Sequence, residues 1–170
     1  NNLGLLPLLT GISIVNGIQN AIYVQPGLKW PNDIMLSRKK MGGILIESKS
    51  SNSGLGIVVG IGLNINETKL DFSDTIKDGA TSLKLYSGEH YSREKIMAEI
   101  LNEFELLYHG DWNNIISNWY MHCIHEDSEV SFNTEDGKFK GKFKGLTEYG
   151  HAEIIIDGKE KIFSSGMVTV

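Results

Sequence analysis

The sequence predicts an α+β fold, in which a mixed, largely antiparallel sheet backed by helices is followed by a small β-barrel. Three observations lead to this prediction. A segment with apolar residues at helical spacing comes first, two strongly apolar strand segments follow it, and short alternating segments with closely spaced turns end the chain. We therefore expect an α+β domain over residues 1–125 and a small all-β domain over residues 126–170.

The composition is typical of a folded protein and narrows the function classes. Of the 170 residues, 41% are hydrophobic and 22% are charged. The net charge of -5 argues against nucleic-acid binding, because phosphate contacts need a basic surface. A single cysteine, Cys123, excludes an internal disulfide and suits a reducing, cytoplasmic compartment. We expect no apolar segment of the about 18 residues that span a bilayer, and we find no signal peptide.

The first half of the chain contains a helix and a hairpin. Residues 3–21 have the spacing of a helix packed on a sheet, in which Pro7 fits the first turn. After a turn at residues 25–27, Leu28 to Trp30 is a short strand candidate. Ile44–Ile46 and Ile57–Leu63 are apolar strands joined by the polar segment Ser48–Ser53, which predicts a hairpin loop between antiparallel neighbours. Their continuous apolarity predicts a sheet covered on part of both faces.

The second half predicts helices and then strands. Residues 68–79 are polar and are expected to form an exposed loop. Ser92 is the expected N-cap of a helix that buries Ile96 and Ile100. Asp111 is the expected N-cap of a second helix, which runs through Trp119. From about Ser128, short strands are separated by the turn pairs Asp136-Gly137, Tyr149-Gly150 and Asp157-Gly158.

Polar residues and glycines that could form a site are concentrated in residues 29–66. Lys29-Trp30-Pro31-Asn32-Asp33 comes first, Lys40 with Gly42-Gly43 opens one apolar strand, and Gly60-x-Gly62-x-Asn64 ends the next. Singly, each has an ordinary structural explanation as a surface lysine, a strand end or a turn. Together they predict a pocket for a small, partly polar ligand, because strand glycines let a ligand approach the backbone closely. The sequence has neither a Walker A motif nor the helical continuation of a dinucleotide-binding fingerprint.

Four segments also carry a resemblance to a known family. Read in order they are KWPND at 29–33, KMGGILIE at 40–47, GIGLNIN at 60–66 and ATSL at 80–83. They resemble consecutive signature blocks of biotin protein ligases, and the terminal β unit is similar to the SH3-like C-terminal domain of that family. The resemblance covers essentially the whole chain. It implies the class II synthetase-like biotin ligase fold followed by an SH3-like barrel.

The resemblance also implies a reaction in two steps. Biotin and ATP would give biotinyl-5'-AMP and pyrophosphate, and the biotinyl group would then pass to a lysine of a biotin carboxyl carrier protein. Lys40 matches the lysine that contacts the biotin carboxylate and the α-phosphate, and Lys29 would help to hold the triphosphate. Asp33 matches the aspartate that orients or deprotonates the carrier amine.

Further residues of this sequence match ligand contacts of the family. Asn32 would contact adenine, and Asn64 the phosphate or, indirectly, its Mg²⁺. The biotin pocket would be lined by Gly43, Leu45, Gly60 and Gly62. For Trp30, core packing is favoured over stacking on a ligand. The resemblance allows a homodimer.

The chain departs from the family pattern upstream of these blocks. Family members carry there a Gly/Arg-rich loop that closes over biotin and the adenylate, and further polar biotin contacts. The present residues contain only Arg38 and Arg93, and the chain begins with Asn1. We interpret it as part of a longer protein and expect little or no ligase activity from it alone. Some members also carry an N-terminal DNA-binding domain. These residues leave open whether the longer protein has one.

Two rival functions stay open at this stage. One is a lipoate or octanoate transferase, which shares the catalytic fold; the KWPND block and the terminal barrel favour biotin. The other is a non-catalytic biotin-binding fragment or subunit.

Two further patterns have a structural and a functional explanation. His122, Cys123 and His125 have poor spacing for zinc, and we interpret Cys123 as a buried or half-buried apolar residue. In residues 138–144, phenylalanines and glycine alternate with four lysines. We favour a solvated lysine face there over a basic surface that attracts an acidic carrier domain.

Overall fold

The structure is a computed structural model that describes residues 2–51, 54–134 and 137–169. Asn52 and Ser53 of the predicted hairpin loop, and Asp136 of the predicted turn, lie outside the described residues.

The first helix lies at the centre of the core. A 3-10 turn at Asn2–Leu5 leads into α1, Leu6–Ile22, which has the expected proline in its first turn. Its buried Thr10 and Ser13 hydroxyls donate to carbonyls one turn earlier. The expectation that no apolar segment reaches membrane-spanning length is wrong, because Leu3–Ile22 has 20 residues with a mean hydropathy of 1.4. Since 72% of its apolar window is buried inside the fold, the segment packs as a core helix.

Helix α1 packs against a four-stranded sheet. The strands are β1 Gly27–Lys29, β2 Asp33–Leu36, β3 Lys39–Ser51 and β4 Gly54–Leu63, paired antiparallel in that order. Two isolated parallel bridges, Leu28 to Cys123 and Lys40 to Ala80, extend the pairing. The predicted mixed, largely antiparallel sheet backed by helices is therefore confirmed.

Two details of the predicted hairpin are wrong, and one neighbouring strand was not predicted. Ser48–Ser51 pair with residues 54–57 as part of β3 and do not form a loop. Asp33 begins a strand of its own, β2, that was not predicted. The apolar strand β4 is largely exposed, with Val58 65% accessible. Apolar residues on both faces indicate that other residues could pack against a strand. They do not indicate that these residues belong to this chain.

The described part of the second half contains three α-helices, of which the last two pack beside α1. They are α2 Leu83–Ser87, α3 Arg93–His109 and α4 Ile115–Tyr120, with 3-10 turns at Lys69–Asp71 and Trp112–Asn114. Ser92 caps α3 as predicted, by accepting a hydrogen bond from the Lys95 amide. Helix α3 approaches α1 so closely that a Cβ on Gly17 would lie 2.6 Å from the Ile100 backbone.

The last part of the chain is a second sheet. Its strands are β5 Glu129–Thr134, β6 Gly137–Leu146, β7 Ala152–Ile156, β8 Lys159–Phe163 and β9 Met167–Thr169, in the order β8-β7-β6-β5-β9. The five predicted strands are present, but within the described residues the ladder ends at β8 and β9 and does not close into a barrel. Strand β6 alternates as predicted, with Phe143 buried and the lysines exposed.

The two sheets are joined by buried contacts close to the KWPND segment. The Trp30 indole is 2% exposed, donates from Nε1 to the Gly150 carbonyl at 3.0 Å, and lies 5.9 Å from the Phe132 ring. The preference for core packing of Trp30 is therefore confirmed. Nearby, the Leu146 amide donates to the Tyr120 hydroxyl at 2.6 Å.

Candidate functional site

One row of directly paired residues crosses all four strands of the first sheet. Lys29 of β1 lies opposite Asp33, Asp33 opposite Gly43, and Gly43 opposite Gly62 of β4. Directly paired residues present their side chains on the same face. The row therefore places a cation, a carboxylate and two positions without side chains next to each other on one surface.

Asp33 forms ion pairs with two lysines. Its Oδ2 lies 2.9 Å from Lys29 Nζ, and its Oδ1 contacts Lys40 Nζ. The side chains of Lys29 and Asp33 are only 15% and 12% exposed, whereas that of Lys40 is 53% exposed. One carboxylate shared by two ammonium groups leaves an excess positive charge at the surface, carried by the accessible Lys40.

The backbone of Lys40 is held by a segment distant in sequence. Its amide donates to the Gly79 carbonyl at 2.8 Å, and its carbonyl accepts from the Thr81 amide at 2.9 Å. Ser82 then caps α2 and donates to the Glu67 carbonyl at 2.6 Å. The ATSL segment is thus the support that fixes Lys40, a role that local sequence patterns did not reveal.

The four positions predicted to contact biotin lie on one open face. Gly43 pairs with Gly62 and Leu45 with Gly60, so all four share the face of Asp33. A Cβ on Gly60 or Gly62 would meet nothing closer than a carbonyl oxygen, at 3.5 and 3.9 Å. A Cβ on Gly43 would lie 3.5 Å from Lys40 Nζ, so that lysine extends over the glycine floor. Leu45 is 61% exposed and supplies apolar surface beside it.

A cleft of about 780 Å³ begins at this floor. Its walls combine residues of the sheet with residues of the 67–80 segment: Lys40, Gly42, Gly43, Gly62, Asn64, Glu67, Asp71, Phe72, Thr75, Ile76, Gly79 and Ala80. The segment was predicted only as an exposed loop, yet it forms the far wall. The signal that could have identified it is the presence of three large apolar residues, Leu70, Phe72 and Ile76, in a polar stretch, of which the last two line the cleft.

The two predicted asparagines differ in position. Asn64 lines the cleft, where its Nδ2 donates to the Thr81 carbonyl at 3.0 Å and its backbone amide donates to the Met41 carbonyl. Asn32 lies at the start of β2, and its Nδ2 donates to the Ile44 carbonyl at 2.7 Å. Asn32 therefore fixes the approach of β2 to β3, and its contact with adenine stays a prediction.

The histidines and the cysteine that follow α4 lie beside β1, where Leu28 forms a parallel bridge with Cys123. His125 is fully buried, its Nδ1 lies 3.5 Å from Cys123 Sγ, and its ring lies 4.4 Å from that of Phe143. Burial, together with the Lys29 charge, lowers the pKa of His125 to about 4, and burial raises the pKa of Cys123 to about 11. Both groups are therefore neutral at pH 7, and the half-buried, apolar character predicted for Cys123 is confirmed.

The chain resembles known proteins in sequence and in structure. Residues 6–64 match the model of the biotin/lipoate A/B protein ligase family. The bifunctional ligase/repressor BirA of Bacillus spizizenii is 35% identical over 167 residues, which cover 94% of this chain and 51% of that protein. The biotin--[acetyl-CoA-carboxylase] ligase of Mycobacterium tuberculosis is 31% identical over 105 residues, or 60% of this chain and 36% of that protein.

A solved structure gives the same result. The biotin protein ligase from Aquifex aeolicus in complex with biotin and ATP superimposes with a TM-score of 0.83 and 30% identity, covering 99% of this chain and 72% of that chain. The present chain thus spans about half the length of the Bacillus relative and most of the Aquifex chain. On this agreement of sequence and fold, the chain belongs to the biotin/lipoate A/B protein ligase family and carries the catalytic-domain fold of its biotin protein ligases.

Proposed function

We propose that this chain takes part in biotin–carboxyl-carrier ligation, in which biotin and ATP form biotinyl-5'-AMP and the biotinyl group passes to a carrier lysine. The observation that carries the proposal is the cluster of Lys29, Asp33 and Lys40 beside the open glycine floor. The Aquifex relative, which was solved in complex with biotin and ATP, supports the choice of ligands.

The first step needs positive charge. A carboxylate oxygen of biotin must attack the α-phosphorus of ATP, and both groups are anionic. A cation fixed in advance reduces their repulsion and stabilises the charge that develops on the phosphoryl oxygens. Lys40 is suited to this role because its backbone is held at both sides while its ammonium lies over Gly43 at the mouth of the cleft.

The second step needs a base. The ε-amine of the carrier lysine attacks the acyl carbon of the anhydride, AMP leaves, and the amine loses a proton. Asp33 is the carboxylate paired with Gly43 at the glycine floor, and its ion pairs hold it in one orientation. In the proposal it accepts the proton of the attacking amine.

The remaining predicted contacts are proposals of the same kind. Gly43, Leu45, Gly60 and Gly62 form the biotin floor, Lys29 faces the triphosphate, and Asn64 faces the nucleotide from the cleft wall. Asn32 uses one amide proton for the Ile44 carbonyl and has the second for adenine.

The oxygen-rich wall of the cleft suits a magnesium ion bound together with nucleotide phosphates. Glu67 Oε2 is buried and has no hydrogen-bond partner in the described part of the chain, and Asp71 and Asn64 line the same wall. Within residues 2–51, 54–134 and 137–169, no group of three or more His, Cys, Asp or Glu could hold a metal without such help. Mg²⁺ commonly binds through one or two carboxylates plus phosphates, whose charge it would reduce here.

The carrier, assembly and domain division also belong to this proposal. The acceptor is a biotin carboxyl carrier protein, as the name of the Mycobacterium relative suggests. We assign residues 1–125 to the catalytic domain and residues 126–170 to an SH3-like module, supported by its five consecutive antiparallel strands. A cytoplasmic location and a homodimer complete the proposal.

Binding of a biotinyl-AMP analogue tests the proposal directly, because this binding depends on residues that the structure describes. Calorimetric titration should show that the chain binds a non-hydrolysable biotinyl-AMP analogue and that Lys40→Ala weakens this binding at least tenfold. Preference for a lipoyl-AMP analogue would favour the lipoate or octanoate transferase. Binding of biotin without any gain from the adenylate group would favour a non-catalytic biotin-binding subunit.

A further inference from the structure

A second cleft adjoins the lysine–aspartate cluster, because Lys29 is one of the residues that line it. It measures about 430 Å³ and is lined by Lys29, Met35, Arg38, Ile124, Ser128 and Thr169. Lys29 and Met35 share the face of Asp33, because residues of a strand alternate between faces and Lys29 pairs with Asp33. Asp33 forms ion pairs with both Lys29, which lines this cleft, and Lys40, which lines the large one.

The charges along the second cleft are positive. Its two charged lining residues are Lys29 and Arg38. Arg38 is exposed and has no ion pair in the part of the chain that the structure describes. Asp127, which precedes Ser128 in the chain, is already paired with Lys142 at 3.2 Å and Lys144 at 3.4 Å. An anion entering the cleft therefore meets the Arg38 guanidinium, and beside it the Lys29 ammonium, whose charge is shared with Asp33 at 2.9 Å.

Arg38 occupies a position where backbone geometry favours another residue. It and Ser37 form the two-residue turn between β2 and β3, with φ of 63° and 49°. Turns with two positive φ values favour Asn-Gly or Gly-Gly, because a Cβ is crowded in the left-handed region. An arginine at this position is explained better by what its guanidinium binds than by the stability of the turn.

We propose that this cleft receives the pyrophosphate released in adenylate formation, with Arg38 and Lys29 as its cationic contacts. The inference rests on the proposed function. When the biotin carboxylate oxygen bonds to the α-phosphorus, the bond from that phosphorus to the β-phosphate oxygen breaks, and pyrophosphate leaves with its electron pair and charge. A guanidinium can bind two phosphate oxygens at once, and the Lys29 ammonium adds a second positive group to the same cleft.

The test uses inorganic pyrophosphate as the probe, titrated into the whole chain by calorimetry at constant ionic strength. Arg38→Gly removes the guanidinium and suits the left-handed turn. We expect it to weaken pyrophosphate binding at least tenfold while the unfolding temperature stays equal or rises. Arg38→Lys keeps the charge without the planar fork and should weaken binding about threefold. The matched control is Lys39→Ala, an adjacent exposed cation outside the cleft, which should change binding less than twofold.

Three results would overturn the proposal: no pyrophosphate binding at millimolar concentration, equal binding by wild type and Arg38→Gly, or equal losses in Arg38→Gly and Lys39→Ala. The last would indicate attraction by net charge alone. Titration with the biotinyl-AMP analogue separates this proposal from the ligase function. If wild type fails to bind the analogue, the ligase function fails, whereas Arg38-dependent pyrophosphate binding would still support the cleft as a pyrophosphate site.

Discussion

Gly43 and Gly62 lie directly opposite each other in the β3–β4 ladder, so the face that carries Asp33 has no side chains at this crossing. The side chain of Lys40, on the same strand as Gly43, extends over this bare part of the face. If these two positions carried side chains, the side chains would cover the backbone as on an ordinary sheet. Two facing glycines instead leave a floor on which a ligand can contact the backbone.

The open floor predicts that a side chain at Gly62 blocks binding without harming the fold. We expect Gly62→Val to weaken binding of a biotinyl-AMP analogue at least 100-fold and to leave the unfolding temperature within a few degrees, because its Cβ would meet only the Gly43 carbonyl, at 3.9 Å. Calorimetric titration and thermal unfolding measure the two quantities. Gly56→Val is the matched control on the same strand, where a Cβ would meet only the Lys49 carbonyl, at 3.8 Å. Equal losses in both variants would contradict a local biotin floor.

The shared carboxylate predicts a stability cost for removing Asp33. Asp33→Asn leaves the poorly exposed Lys29 without its counter-charge, so we expect the free energy of unfolding to fall by about 2 kcal/mol. Urea denaturation measures it. The control is Asp74→Asn, which removes an exposed ion pair to Lys77 and should cost less than about 0.5 kcal/mol. Similar values for the two variants would show that burial adds nothing to the Asp33 pairs.

The buried His125 predicts a loss of stability in mild acid. Its folded pKa of about 4 lies below the ordinary value of 6.5, so the neutral form is favoured in the folded state. The contribution of His125 to the free energy of unfolding is complete above pH 6.5. It decreases as the pH falls toward 4, and below pH 4 it stays at its lowest value. It amounts to about 3 kcal/mol, at 1.36 kcal/mol per pKa unit.

The measurement compares urea denaturation of wild type and His125→Phe between pH 7 and pH 4. The variant should lose about 3 kcal/mol less than wild type over this range, since it has no group to protonate. The exposed His90→Phe serves as control and should follow wild type. Parallel curves for wild type and His125→Phe would refute the assignment.

The close approach of α1 and α3 predicts intolerance at Gly17. Gly17→Ala places a Cβ 2.6 Å from the Ile100 Cα and N, which are backbone atoms that cannot rotate away, so we expect a loss of about 3 kcal/mol in unfolding free energy. At Gly11, on the same helix, a Cβ would meet the flexible end of Leu28 at 3.1 Å, and Gly11→Ala should change stability by less than about 1 kcal/mol. A Gly17→Ala variant as stable as Gly11→Ala would show that the helices can separate freely.

Elements that depend on local patterns could be predicted from the sequence. The apolar spacing of α1, the Ser92 cap of α3 and the alternation of β6 are all present in the structure. Each is set by residues within a few positions of one another, where periodicity and capping chemistry act. The resemblance-based site residues also lie close together, although their roles stay predictions.

Features that depend on distant partners could not be predicted. The bonds of Lys40 to Gly79 and Thr81 join segments about forty residues apart and leave no periodic pattern in the sequence. Strand β2 is short and begins at a charged residue, Asp33, which obscured it. Strand β4 was expected to be covered because its composition is apolar, but composition does not specify which residues pack against it.

The hydrogen bond from the Trp30 indole to the Gly150 carbonyl has a consequence for dissecting the protein. Trp30 lies between Lys29 and Asn32, so a truncation that removes the last sheet would take away the hydrogen-bond acceptor of the indole and its contact with Phe132, expose the ring to water and loosen the chain between those two residues. The smaller sheet thus helps to fix the backbone of the KWPND segment, on which the proposed site depends.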